Sequence, residues 1–188
     1  MGARDRLIDS AMELMRRNGV AGTGIAQLLE HSGISRRSVY LNFPGGKAEL
    51  IAEATRVAGQ GYSALMRAVT ASADLATCLA AFPGIWREVL VTSDFTAGCP
   101  IVAAALSRSE APAAADAAGE TFLDWEQIIA ERLRAEHVAP DTALSLATTI
   151  IAAVEGAVLM SLATRSVTPL ERVGEQMSAL VSQYTRVA

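Results

Sequence analysis

Between positions 35 and 47 the chain gathers side chains suited to gripping a polyanion. Arg36 and Arg37 are adjacent, Ser38, Tyr40 and Asn42 follow, and Thr23 and Lys47 stand on either side. A guanidinium offers paired N–H donors that match O6 and N7 of guanine, and a serine hydroxyl can contact base edges or phosphate. Tyr40 and Asn42 carry donors suited to phosphate oxygens, while Thr23 and Lys47 flank the segment where the two backbones of a duplex would pass. The chemistry is recognition, and it works only if these groups share one exposed face. The same residues also fit an ordinary solvated helix surface, and their spacing alone does not separate the two readings.

The elements that must present them are helices. Leu7, Ala11, Leu14 and Met15 recur at steps of three and four, which predicts a first helix over about 4–17, ended by Asn18-Gly19. A second helix begins after Thr23, read as its N-cap, turns Ile25, Leu28 and Leu29 inward, and stops at Ser32-Gly33. Ser35 caps a third that carries Val39 inward and ends near Phe43. Gly33 allows the left-handed corner of a helix-turn-helix, whose second helix enters a major groove. Pro44-Gly45-Gly46 is a turn, after which a long helix starts at about Lys47 and runs past Met66. Further helices are predicted over about 75–91, with a kink or break at Pro83, then from Pro100, and over about 113–136, 140–164 and 169–185. The sum is an all-α chain of nine helices.

Charge is unevenly spread. Residues 1–50 carry seven Lys/Arg against five Asp/Glu, a net +2, whereas 51–188 carry nine against fifteen, a net −6, within a total of −4. Only the first segment suits phosphate. Cys78 and Cys99 are far apart and have no metal-ligand neighbours, so neither a metal nor a cofactor is expected. No uninterrupted apolar run of ~18 residues is found and the N-terminus starts polar, so the expectation is a cytoplasmic chain with no membrane partner.

Thr23-Gly24-Ile25, Gly33-Ile34-Ser35, Ser38-Val39-Tyr40, Phe43 and the run Pro44-Gly45-Gly46-Lys47-Ala48-Glu49-Leu50 together resemble the DNA-binding domain of TetR-family regulators, over about residues 4–54. Gly98-Cys99-Pro100-Ile101 and Glu155-Gly156-Ala157, with the Thr-Gly-Ile start and the Phe-Pro-Gly-Gly-Lys turn, look closer to the LmrA/YxaF-like branch. The resemblance implies a homodimer on a palindromic operator, a helix-turn-helix domain at 1–50 and a ligand-binding and dimerisation domain at 51–188. Asn42 stands where the family commonly has His, and Arg37 where the branch usually has Gly. The added Arg would change the operator sequence or strengthen non-specific binding.

Residues 55–188 hold no catalytic constellation, and of the two histidines His31 lies in the DNA-binding segment and His137 at a polar helix end. An enzyme is therefore not expected. Tyr62, Leu65, Met66, Phe82, Trp86, Leu90, Phe95, Phe122, Trp125, Ile129 and Met160 are the apolar material for a pocket or for plain core. Glu155, an acid inside an apolar run, is a candidate polar group for that pocket. The selected ligand contacts are Tyr62, Met66, Trp86, Leu90, Phe122, Trp125 and Glu155, and the effector is a small apolar molecule. Ile151, Val154, Val158 and Leu162 share one spacing, as do Val173, Met177, Leu180 and Tyr184, while Ala153, Gly156 and Ala157 allow close approach. These faces suit a dimer surface or packing within one subunit, and the resemblance implies an intersubunit four-helix bundle. Two rival readings remain: a small-molecule sensor that has lost DNA binding, and a redox regulator built on Cys99, whose thiol precedes a helix start.

Overall fold

A computed structural model describes residues 2–185. Among them are nine helices and no strand: α1 (Ala3–Asn18), α2 (Ile25–Ser32), α3 (Arg36–Asn42), α4 (Gly46–Ser72), α5 (Leu75–Thr92), α6 (Pro100–Ala105), α7 (Pro112–Ala135), α8 (Pro140–Thr164) and α9 (Thr168–Thr185). The chain divides into two compact units, Met1–Gly61 with Gly98–Thr121, and Tyr62–Ala97 with Phe122–Ala188.

In the first unit α1 is the hub, packed against α2, α3 and α6. Its apolar stripe is buried as the periodicity requires: Leu7, Ala11 and Met15 are covered, as are Leu28 of α2, Val39 of α3 and Phe43. α2 starts one residue later than expected. Its N-cap is Gly24, whose amide donates to Gln27 Oε1 at 2.8 Å, because the Thr23 hydroxyl turns back to donate to Gly19 O at 2.7 Å. Gly33 ends α2 in the left-handed region at φ 64°, and the Arg6 guanidinium reaches the neighbouring Ser32 O at 2.5 Å. Ser35 then caps α3 by accepting from the Ser38 amide at 3.2 Å. The end of α1 is tied to the entry of α6: the Gly98 amide donates to Arg16 O at 2.9 Å, and Arg16 Nε donates to Gly98 O at 3.1 Å.

In the second unit α9 packs on both α5 and α8. Leu75 and Leu79 of α5, Leu133 of α7, Leu146 and Ile150 of α8 and Val181 of α9 form its core. α5 runs on through Pro83 as one helix, with the ring seated where α9 comes closest. A Cβ on Gly174 would stand 2.6 Å from Pro83 Cγ.

By length and composition α5 and α8 are each apolar enough to cross a bilayer, with mean hydropathy of 1.3 and 1.9 over an 18-residue window. No uninterrupted apolar run of ~18 residues underlies either value. Alanine, threonine and glycine interrupt the apolar runs without lowering their hydropathy much, and α8 carries only Asp141 and Glu155 as charges. Both helices pack against α9 within the unit.

Candidate nucleic-acid interface

α3 is seven residues long and has two distinct sides. Val39 faces inward and is fully buried, followed by Phe43 at the C-cap, while Arg36, Arg37, Tyr40 and Leu41 face outward. Positions 36/40 and 37/41 are one turn apart, so the four outward residues make one surface.

The use of basic side chains singles this surface out. Of the seven Lys/Arg in residues 1–50, five are engaged inside the fold. Arg4 pairs with Glu53 and lies over the Phe43 ring, Arg6 holds Ser32 O, Arg16 holds Gly98 O, Arg17 pairs with Glu13, and Lys47 Nζ donates to Val20 O at 2.9 Å. Arg36 and Arg37 alone of the seven make no hydrogen bond or ion pair among the described residues. Two exposed, adjacent, uncompensated guanidiniums have their full donor capacity available for an anionic partner.

Tyr40 is half exposed and its ring is positioned from below. Gly46, in the left-handed region at φ 67°, lets the ring approach, since a Cβ there would stand 3.2 Å from Tyr40 Cε1. The ring is thereby backed by the turn that starts α4.

The other expected contacts sit differently. Thr23 is 0% exposed with its hydroxyl spent on Gly19 O, so it closes the turn after α1 and offers nothing at the surface. Asn42 is half-buried and its Nδ2 donates to Ser38 O at 2.8 Å, which uses the donor expected to reach phosphate. Ser38 receives the Ser35 hydroxyl at 3.2 Å. Lys47 keeps further ammonium protons beyond the one on Val20 O, but its side chain braces the start of α4. Leu41, outside the expected set, shares the outward surface, four residues after Arg37.

The expected ligand contacts all belong to the second unit. Tyr62 and Phe122 each meet Trp125 edge-on, at ring distances of 6.1 and 5.4 Å. Trp86 is buried and tilts against Phe82 at 6.5 Å, in a separate pair. Leu90 is fully buried, Met66 packs against the core, and Glu155 is half-buried on α8. The Trp125 indole N–H is buried with no acceptor among the described residues. An open groove of about 600 Å³ lies elsewhere, lined by Asp74, Thr77, Glu136, His137 and Ser178 among others, and includes none of these residues.

Of the expected dimer residues, Tyr184 is exposed, and Leu162 and Val173 are half-buried. Val154, Met177 and Leu180 lean on the subunit's own core. Val158 is 1% exposed and lies inside the subunit, while Leu159 and Met160 beside it are exposed, as is Leu144 nearer the start of α8. Burial pushes the Cys78 thiol above its ordinary value and its Sγ donates to Val69 O, both of which disfavour a reactive thiolate. Cys99 is buried as the N-cap of α6.

Comparison with known proteins identifies the family. Residues 7–54 match the family described as bacterial regulatory proteins of the tetR family, and residues 75–176 match the C-terminal domain of LmrA/YxaF-like transcriptional regulators. A helix-turn-helix transcriptional regulator of Mycobacterium tuberculosis is 35% identical over 187 residues, covering 96% of this chain and 94% of that protein. The regulator LmrA of Bacillus subtilis is 29% identical over 188 residues, covering 96% of this chain and 97% of its own. In fold, a TetR regulator from Legionella pneumophila superposes with a TM-score of 0.86 at 18% identity, over 96% of this chain and 97% of that one. Two matched domains and full-length relatives place the chain in the TetR family of bacterial transcriptional regulators, which are DNA-binding proteins and not enzymes.

Proposed function

We propose that this regulator is a repressor that binds a palindromic operator as a homodimer through α3 and lets go when a small, largely apolar molecule enters its second unit. The observation that carries the DNA half is the pair of uncompensated guanidiniums, Arg36 and Arg37, beside a Tyr40 braced on Gly46. A dimer places two such helices about 34–36 Å apart, one turn of duplex. The exposed Leu159 and Met160 on α8 and Tyr184 on α9 supply apolar surface that a second copy could cover.

The ligand half rests on the Tyr62–Trp125–Phe122 cluster. A buried indole N–H without an acceptor costs about 1–3 kcal/mol. An apolar molecule bearing one carbonyl or ether oxygen would remove that cost, so the effector class is an apolar ring or chain with an acceptor. Tyr62 and Met66 lie on α4, the same helix whose first turn holds Gly46 and Lys47. Ligand that shifts α4 thereby shifts the support of Tyr40, and DNA affinity falls because the favoured spacing of recognition helices changes. The test is operator affinity with and without a panel of apolar acceptors, alongside quenching of tryptophan fluorescence in the parent and in Trp125→Phe. Molecules that quench the parent should weaken operator binding. Quenching with unchanged operator affinity would end the induction reading.

A further inference from the structure

We infer that Leu41 reads a thymine, by laying its side chain against the 5-methyl group in the major groove. This inference rests on α3 being the reading helix and adds a specificity residue to it.

Leu41 is 70% exposed, whereas its apolar neighbours Val39 and Phe43 are at most 1% exposed and Tyr40, on the same outward face, is 47% exposed. Leaving a leucine in water forfeits the gain that burial would bring. Isolated exposed apolar residues are common on protein surfaces, so exposure alone decides nothing. Its surroundings do. Leu41 stands one turn after Arg37 and adjoins Tyr40, on the same outward surface as Arg36. Neither guanidinium is neutralised within the fold, and a protein partner docking an apolar pocket over Leu41 would have to desolvate them or supply carboxylates. A DNA groove meets both demands together. Phosphates and guanine edges take the arginines and the tyrosine, and the one apolar group on the floor of the major groove is the thymine methyl. The order of the residues then predicts the order of bases: guanine read by Arg37 and thymine read by Leu41 lie near one another in each half-site.

The test uses the full-length protein and the duplex it recovers from a random library. Each thymine is replaced singly by deoxyuridine, which removes only the methyl group. One replacement per half-site should weaken the parent by about fourfold, the value of one buried methyl. Leu41→Ala should bind the thymine and deoxyuridine duplexes equally, and Leu41→Met, which keeps an apolar chain, should retain the preference. Both variants should melt with the parent, since the position is on the surface. If the parent ignores every replacement, or Leu41→Ala keeps the parent's penalty, Leu41 is not the reader. If the parent recovers no duplex at all, the assignment of α3 as reading helix falls, and this inference with it.

Discussion

The Tyr40 ring lies against Gly46 so closely that a methyl group on that glycine would sit 3.2 Å from Cε1. The turn between α3 and α4 therefore sets the direction of a side chain on the recognition surface. Gly46 also has φ 67°, which an L-residue adopts at a cost of about 1–2 kcal/mol. Gly46→Ala should lower stability by roughly that amount in a urea titration and weaken operator binding further by displacing the ring. Tyr40→Phe keeps the ring and removes one donor, and should weaken all duplex sequences alike, by about threefold to tenfold. An effect confined to one base pair would assign the hydroxyl to a base.

Arg16 and Gly98 exchange two hydrogen bonds that join α1 to the start of α6. Arg16→Met removes one of them and leaves the backbone bond. It should cost about 1 kcal/mol of stability and speed exchange of the Gly98 amide. Operator affinity of the folded protein should hold, because Arg16 faces Gly98 rather than the recognition surface. A large loss of affinity at full stability would make Arg16 a DNA contact.

Ser35 separates stability from binding. Ser35→Ala removes the α3 cap and should cost about 1 kcal/mol. Ser35→Asp restores a capping oxygen, so thermal stability should return to near the parent value. It also places a carboxylate beside Arg36 and Arg37, so operator binding should fall below the parent's. Recovery of both properties together would mean that the charge at this end of α3 does not face phosphate.

Asp74 provides a pH signature. Hydrogen bonds from the Thr77 amide and hydroxyl hold its carboxyl below the ordinary 3.8. A carboxylate depressed by folding stabilises the fold at and above its unfolded value, and that contribution disappears as pH falls through the folded value. The parent should therefore melt higher than Asp74→Ala at neutral pH, and the gap should shrink as the solution is taken below about pH 4. A gap independent of pH would show that the ionised form is not what caps α5.

The helix boundaries around α2 and α3 are legible because capping and corner chemistry are local. Ser35, Gly33 and the 39/43 inward spacing act within a few residues of themselves. Thr23 was misplaced because its hydroxyl had two acceptable uses, and only the fold puts Gly19 O within its reach. Asn42 poses the same choice, and its amide turns back to donate to Ser38 O. Leu41 escaped notice because an apolar residue on a helix is ordinarily assigned to the core. On α8 the apolar residues surround the helix, so periodicity does not say which ones face the subunit. Val158 lies inside and Leu159 outside, one residue apart. The membrane-like hydropathy of α8 has the same origin. Of the kink or break expected at Pro83, the break does not occur: α5 continues with the ring set against Gly174.

The central claim is that Arg36 and Arg37 read DNA, and selection from a random duplex library by the parent and by the double variant Arg36→Ala, Arg37→Ala tests it most directly. Each guanidinium lost from a base is worth about 1–3 kcal/mol. The account expects the parent to enrich a palindrome, and the double variant, folded equally well by circular dichroism, to bind that palindrome at least about a hundredfold more weakly. Recovery of the same palindrome by both proteins at equal affinity would contradict it.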